Sequence, residues 1–181
     1  GFQAPPEAVT TVFTLSLDTP DNMAKAAAVQ KHRPILKLKL GREDDLARVQ
    51  AIRAAAPDTR LVIDANTGWS FEQLEAYLPQ LALLGVEMIE QPLGPAEEHL
   101  LEGLSPEIPL VADESCLDRS SLAALKGRYQ AINIKLDKTG GMTEAIALLN
   151  EAQQQGFDIM VGCMVGTSLA MAPALLLAQQ A

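Results

Sequence analysis

Short apolar runs rich in β-forming residues alternate with segments of helical periodicity along the chain. The first four runs and the helical segments after them are TVFTLSL with 20–31, ILKLKL with 44–56, LVIDA with 70–84 and VEMIE with 95–104. The last three are PLVADE with a short helix from about residue 119, AINIKL with 143–155 and DIMVGC with 168–179. Strands that are apolar at consecutive positions are typical of a parallel sheet covered on both faces. The pattern therefore predicts seven strand-helix units of an α/β fold.

Local signals at the helix ends agree with this assignment. Ser70 followed by Gln73 is a capping box, Thr143 is a candidate N-cap, and Gly85 and Gly156 are candidate helix-ending glycines. These positions separate the predicted helices from the strands on either side.

Parallel strands joined by helices either close into a barrel or form an open doubly wound sheet. No glycine-rich dinucleotide fingerprint follows the first strand, which favours the barrel. No eighth strand precedes the final LAQQA, so we expect an incomplete TIM-type barrel domain over 1–181 whose first and seventh strands are edges. The start at Gly1 leaves open a removed targeting segment or an upstream domain.

Composition narrows the classes of partner. The 181 residues are 48% hydrophobic, which is enough for one core, and the net charge is −9 with scattered lysines and arginines. These values favour small-molecule partners over nucleic acid. The apolar stretch near LAMAPALLLA is too short to span a bilayer. Two cysteines without metal or redox spacing suggest a reducing compartment, and we expect a cytoplasmic protein.

Charged residues stand at the ends of five predicted strands, where a barrel of this kind gathers its catalytic groups. The charged residues are Lys37, Lys39, Asp64, Glu90, Asp113, Glu114, Lys135 and Asp137, and the uncharged Asn66 lies among them. From 39 to 64 is 25 residues, from 64 to 90 is 26, from 90 to 113 is 23, and from 113 to 135 is 22. Each step equals one strand, loop and helix, so we expect these groups at equivalent heights on adjacent strands.

Three carboxylates at one height would repel one another unless a cation lies among them. Asp64, Glu90 and Asp113 offer oxygen ligands without His or Cys, which suits Mg²⁺ before Mn²⁺ or Ca²⁺. Taken singly, each acid is more often a helix cap and each lysine a surface residue. Lys37 and Lys39, however, share one strand face, and a buried strand has little reason to carry two inward amines.

Two neighbouring residues allow two interpretations each. Glu114 is either a partner that supports the site or a cap of the following segment. Trp69 either covers the site or packs against the next helix.

The motifs KLKLG, DANTGW, IEQP, ADES and IKLDKTGG, in this order and spacing, resemble the enolase superfamily. Within it, they resemble the dipeptide epimerases of the muconate-lactonizing subgroup, over essentially the whole chain. The resemblance implies a modified (β/α)7β barrel, here without its last strand and without the family's N-terminal capping domain. The missing strand also carries the Asp-x-Asp segment that holds the substrate ammonium group in dipeptide epimerases.

The resemblance also implies roles for individual residues. Asp64, Glu90 and Asp113 match the ligands of one Mg²⁺ per subunit, with Mn²⁺ as a substitute, and Lys39 and Lys135 match the two acid/base catalysts. Lys37 matches the lysine near the substrate carboxylate, and GCMVGTS resembles the substrate-lining segment. We therefore expect substrate contacts from Lys37, Asp137, Cys163 and Met164, with Asn66 and Glu114 supporting the site.

The implied enzyme is an Mg²⁺-dependent isomerase that inverts the α-carbon of the C-terminal residue of a dipeptide such as L-Ala-L-Glu. Removal of a proton next to a carboxylate creates an enediolate, which a divalent cation stabilises. Two lysines on opposite faces then invert the centre by 1,1-proton transfer. The expected partner is a small carboxylate, the dipeptide, and homo-oligomers stay compatible with the sequence.

Other functions compete with epimerisation. A cycloisomerase acting on muconate, or an o-succinylbenzoate synthase of the same subgroup, needs only one lysine for proton transfer. Lys135 at a barrel mouth is also compatible with a Schiff-base aldolase that uses no metal. A non-catalytic scaffold piece is the third alternative, because the eighth strand is absent.

Overall fold

The structure is a computed structural model that describes residues 8–181. The chain divides into two compact units, one formed by Thr10–Leu110 and the other containing Val111–Ala181. Residues 8–181 contain seven strands: β1 Phe13–Leu15, β2 Ile35–Lys39, β3 Arg60–Asp64, β4 Val86–Glu90, β5 Leu110–Ala112, β6 Ala131–Lys135 and β7 Asp158–Gly162. The α-helices are α1 Pro20–Gln30, α2 Asp45–Ala55, α3 Phe71–Leu83, α4 Leu122–Leu125, α5 Leu136–Thr139, α6 Met142–Gln154 and α7 Ser168–Ala178.

The unit Thr10–Leu110 contains a parallel sheet in which β1, β2, β3 and β4 pair in chain order. Its strands are apolar on consecutive positions because both faces are covered, and Leu36, Leu38, Leu61 and Ile63 are fully buried. The register pairs Lys39 with Asp64 and Asp64 with Glu90. The strand-end spacing seen in the sequence therefore corresponds to equal heights in this sheet.

The unit containing Val111–Ala181 has the same organisation. Strands β5, β6 and β7 pair in parallel and in chain order, and the register sets Lys135 beside Gly162. Helix α6 buries Leu148 and Leu149. The predicted alternation of parallel strands and helices is thus confirmed within each unit, whereas barrel closure and the single domain over 1–181 stay predictions. Residues 1–7 of that predicted domain lie outside the described part of the chain.

Several predicted helix ends are confirmed. Ser70 and Gln73 form the reciprocal capping box of α3. Gly85 and Gly156 take left-handed conformations just after α3 and α6, with φ of +66° and +87°, as helix-ending glycines do. The N-cap prediction for Thr143 is wrong: α6 begins one residue earlier, at Met142, and Gly141 occupies the cap position.

The predicted helix over 95–104 is also wrong. Only the 3₁₀ turn Glu98–Leu101 forms there. The side chains of Glu97 and Glu98 instead accept hydrogen bonds from Phe71 N and Gln91 Nε2. Gly103, with φ of +79°, then turns the chain away. In residues 8–181, no helix combines the length and apolar character that a bilayer crossing requires.

Candidate active site

Lys37 is a buried lysine held between two buried carboxylates. Its Nζ lies 2.8 Å from Asp64 Oδ2 and donates a short hydrogen bond to Glu90 Oε2. All three residues lie on paired strands of one sheet, and neither Asp64 nor Glu90 is exposed to solvent. Burial lowers the pKa of Lys37, but the charges of Glu90 and Asp64 outweigh that effect and raise it. Lys37 therefore stays an ammonium ion.

Lys39 reaches the same acid from the end of β2. Its Nζ donates to Asp64 Oδ2 at 2.6 Å and to Asn66 Oδ1 at 2.9 Å. The backbone N–H of Asn66 donates in turn to Asp64 Oδ1 at 3.1 Å. The Lys39 side chain is 36% exposed, four times the 9% of Lys37. Of the two lysines, Lys39 is the one that a molecule from solvent can approach.

The backbone after β3 remains paired with the backbone after β4. Ala65 N donates to Glu90 O at 3.0 Å, and Thr67 N donates to Gln91 O at 2.8 Å. Asn66, Thr67 and Gln91 have φ of 45°, 62° and 38°, a region that residues other than glycine seldom occupy. Such conformations persist where the surroundings fix them, and they often mark functional sites.

Trp69 is a buried anchor rather than a cover. It is 3% exposed, and its Nε1 donates to Asp45 Oδ2 at 2.7 Å. Its ring meets the ring of Tyr77 on α3 edge to face, with centroids 5.2 Å apart. Of the two interpretations from the sequence, packing against the next helix is confirmed.

Asp113 binds two lysines in the unit Val111–Ala181. Its Oδ2 accepts from Lys135 Nζ at 2.5 Å, and its Oδ1 accepts from Lys138 Nζ at 2.7 Å. Burial raises the pKa of Asp113, but the hydrogen bonds from Lys135 and Lys138 outweigh it and hold the pKa below the usual range. Asp113 is therefore an anion, and Lys135 occupies a position comparable to that of Lys39 beside Asp64.

The remaining candidates lie on the surface of the same unit. Asp137, Cys163 and Met164 are exposed, and Met164 N approaches Asp137 Oδ2 at 3.5 Å, a long contact. Glu114 is exposed as well, and the cap of the following 3₁₀ turn is Asp118, whose carboxylate accepts from Ser120 N. Asp118 rather than Glu114 is thus the N-cap of that turn, and the role of Glu114 in supporting the site stays a prediction.

Within residues 8–181, no group of three or more His, Cys, Asp and Glu side chains is arranged to hold a metal ion. Lysine ammonium groups neutralise the candidate carboxylates in this structure. The ammonium of Lys37 lies between Asp64 and Glu90, and Asp113 is paired with Lys135 and Lys138. Buried carboxylates need a compensating positive charge, and lysines supply it here. The donor set itself, carboxylate oxygens alone, is one that suits a hard divalent cation.

Sequence reasoning missed Lys138 and Asp45. Lys138 follows Lys135 by three residues, and α5 begins directly after β6, so both side chains reach Asp113. The three-residue spacing would have indicated a shared partner for the two lysines only if a helix had been predicted directly after β6. Asp45 is buried at the start of α2, although its EDDL context reads as a solvated helix start.

Sequence comparison finds close relatives. The chain is 52% identical over 168 residues to an N-acetyl-D-glutamate racemase of a Pseudoalteromonas species, covering 93% of this chain and 53% of that protein. It is 50% identical over 177 residues to the L-Ala-D/L-Glu epimerase of Escherichia coli K12, covering 97% of this chain and 55% of that protein. The chain therefore spans about half the length of these curated relatives.

Solved structures of enolase-family proteins also match this chain. An enolase family member from Agrobacterium tumefaciens with homology to dipeptide epimerases, with bound sodium and L-Ala-L-Glu, matches with a TM-score of 0.95 and 49% identity, covering 98% of this chain and 55% of that one. The Enterococcus faecalis dipeptide epimerase, complexed with Mg and L-Leu-L-Tyr, matches with a TM-score of 0.87 and 35% identity over 93% of this chain and 50% of that one. The family model described as Enolase C-terminal domain-like matches residues 21–181. The chain therefore belongs to this enolase family, as its strand-end motifs predicted.

Proposed function

We propose that the protein is an isomerase that inverts the α-carbon of an N-acylated glutamate, with the dipeptide L-Ala-L-Glu as substrate, by proton transfer between two lysines. One observation carries the proposal: each unit places a lysine ammonium on a carboxylate at a strand end. These pairs are Lys39 with Asp64 at 2.6 Å and Lys135 with Asp113 at 2.5 Å. The 50% identity to an L-Ala-D/L-Glu epimerase supports the same activity.

We further propose that Asp64, Glu90 and Asp113 hold one Mg²⁺, or Mn²⁺ in its place. Their oxygens suit a hard cation, and a dipeptide epimerase complexed with Mg is among the similar structures. Such an ion offsets negative charge on the substrate carboxylate. Lys37 now pairs with Asp64 and Glu90. When these carboxylates bind the metal, Lys37 would have to give up both contacts, and its ammonium group would then be available to bind the substrate carboxylate.

The chemistry assigned to the chain itself is two proton transfers. One lysine, in its neutral form, accepts the α-proton, and the electron pair of the broken C–H bond moves into the carboxylate. The other lysine, as an ammonium ion, donates a proton to the opposite face of the planar carbon. Asn66, which accepts from Lys39 Nζ, orients that lysine.

The named relatives support a substrate class for this proposal. N-acetylglutamate and Ala-Glu both present an acylated nitrogen, an α-carboxylate and a side-chain carboxylate at the reacting residue, whereas only the dipeptide adds an ammonium group. We assign substrate contacts to Lys37, Asp137, Cys163 and Met164, and a supporting role to Glu114. A cytoplasmic location fits the two free cysteines.

The experiment uses the full-length protein with a dipeptide library in deuterated buffer containing Mg²⁺. Incorporation of deuterium at the α-carbon of the C-terminal residue, read by mass spectrometry, is the expected result, with Ala-Glu exchanging fastest. Chelation with EDTA should abolish exchange, and added Mg²⁺ should restore it. Absence of exchange in every dipeptide would contradict the proposal.

Racemisation of N-acetylglutamate is the second candidate, favoured by the 52% identity to a racemase of that compound. Competition between N-acetyl-L-glutamate and L-Ala-L-Glu at equal concentration separates the two, because the preferred substrate has the higher kcat/KM. Conversion to a ring or an alkene without inversion would indicate a cycloisomerase or o-succinylbenzoate synthase instead. Trapping by borohydride, together with insensitivity to chelators, would indicate a Schiff-base aldolase.

A further inference from the structure

Lys138 has three hydrogen-bond acceptors at its ammonium group. Its Nζ lies 2.7 Å from Asp113 Oδ1, 2.5 Å from Asp113 O and 2.8 Å from Asn133 O. An ammonium ion has three donors, so the set is complete. The side chain is 10% exposed. Lys138 therefore connects the end of β5 to β6 through a half-buried, saturated group.

The two oxygens of Asp113 are divided between two lysines. Lys138 takes Oδ1, and Lys135 takes Oδ2 at 2.5 Å. Because Lys138 also holds the backbone carbonyl of Asp113, both the side chain and the main chain of that residue are fixed from one point. Rotation of the carboxylate would break the bonds to both lysines, so Oδ2 remains directed at Lys135.

A role limited to neutralising Asp113 does not explain this arrangement. One lysine offsets one carboxylate, and a second ammonium beside the first adds repulsion between like charges. The second lysine adds geometry instead: two bonds to Asp113 and one to Asn133 O specify where Asp113 lies relative to β6.

We propose that Lys138 is a positioning residue that fixes the Asp113 carboxylate, and through it the Lys135 ammonium, for proton transfer. The inference rests on the proposed function for the role of Lys135 and on the proposed metal site for the role of Asp113. The three hydrogen bonds of Lys138 go to Asp113 and Asn133, so no direct contact with substrate is assigned to it.

The test uses Lys138→Met in the full-length protein, since methionine keeps the length of the side chain and removes its donors. Lys126→Met is the control, because Lys126 is exposed in the same unit. The first readout is Mn²⁺ binding to the metal-free protein, followed by electron paramagnetic resonance. We expect the Kd to rise by about 10- to 100-fold in Lys138→Met, the usual range for residues that orient metal ligands, and to stay unchanged in the control.

The second readout is deuterium exchange from each substrate epimer at saturating metal. Lys135→Ala identifies the epimer whose proton Lys135 removes. Lys138→Met should slow exchange of that epimer by about tenfold or more while leaving the other epimer near the wild-type rate. A general loss of stability would slow both epimers equally, and that result would overturn the proposal.

If Lys138→Met does not fold, Lys138→Arg tests the positioning role of Lys138 instead. Arginine keeps the charge, but its planar fork cannot reproduce the three bonds of an ammonium. Weakened Mn²⁺ binding in this variant supports positioning, whereas wild-type binding and wild-type exchange of both epimers overturn it. If the wild-type protein binds Mn²⁺ but exchanges no dipeptide, the proposed function fails while the metal readout still tests Lys138.

Discussion

The indole N–H of Trp69 donates to the carboxylate of Asp45 across a gap of 24 residues, at 2.7 Å. The same Oδ2 atom accepts the backbone N–H groups of Gly41 and Arg42 at 2.7 and 2.9 Å, and Oδ1 accepts from Arg48 at 3.0 Å. One buried carboxylate thus joins the loop after β2 to the loop after β3. These loops directly follow Lys39 and Asp64, so their rigidity helps to fix the proposed site.

Replacement of Trp69 by phenylalanine should lower the free energy of unfolding by about 1–3 kcal/mol, because a hydrogen bond to a buried charged group is lost. Phenylalanine can keep a ring contact with Tyr77 but also removes part of the buried indole ring, so the polar effect is isolated by the double-mutant cycle rather than by the single variant. Chemical denaturation of Trp69→Phe, Asp45→Asn and the double variant gives the coupling energy between the two side chains. Strictly additive effects would show that the bond contributes nothing.

Gly68 lies against Gly41 so closely that no side chain fits. A Cβ at Gly68 would stand 2.5 Å from Gly41 Cα and 2.6 Å from Gly41 O. Gly68→Ala must therefore push the two loops apart and should destabilise the protein by about 1–3 kcal/mol, as overpacking does. Gly94→Ala is the matched control, since the nearest atom to its Cβ would be Thr67 O at 3.9 Å. Equal melting temperatures for the two variants would contradict this account.

The sequence predicted the strand ends well and the contacts between them less well. Asp64, Glu90 and Lys39 were found because a charge that closes a buried strand is conspicuous against an apolar pattern, and the register sets them side by side. The bond between Asp45 and Trp69 was not found, because periodicity does not specify which distant side chains meet. The helix expected over 95–104 failed because Glu97 and Glu98 bond to neighbouring segments rather than support a helix.

The two cysteines should differ sharply in reactivity. Burial raises the pKa of the Cys116 thiol to about 11, while Cys163 is exposed. At pH 8, roughly a thousandth of Cys116 is then thiolate, the reactive form. Iodoacetamide labelling of the native protein, followed by peptide mass spectrometry, should modify Cys163 and leave Cys116 intact until the protein is denatured. Labelling of Cys116 at the rate of Cys163 would contradict the burial.

Gly162 leaves space for the side chains of Asn133 and Lys135. A Cβ there would lie 2.7 Å from Asn133 Oδ1 and 3.1 Å from Lys135 Cε. Gly162→Ala should therefore displace Lys135 and, if Lys135 has the proposed catalytic role, slow α-proton exchange from the epimer assigned to it by about tenfold or more, as a misplaced catalytic group does. Exchange from the other epimer serves as the internal control. An equal effect on both epimers would indicate general disruption instead.

Lys39 and Lys135 should divide the reaction by face of the substrate. In the proposed mechanism, replacing either with alanine removes one of the two bases, so each variant should lose epimerisation by about 10²-fold or more. Each variant should still exchange the α-proton of the one epimer whose proton faces the remaining lysine, and the two variants should favour opposite epimers. Nuclear magnetic resonance of L-Ala-L-Glu and L-Ala-D-Glu in deuterated buffer measures both rates. If both variants exchange the same epimer, or if Lys135→Ala epimerises normally, a one-base reaction such as cycloisomerisation replaces the two-base mechanism.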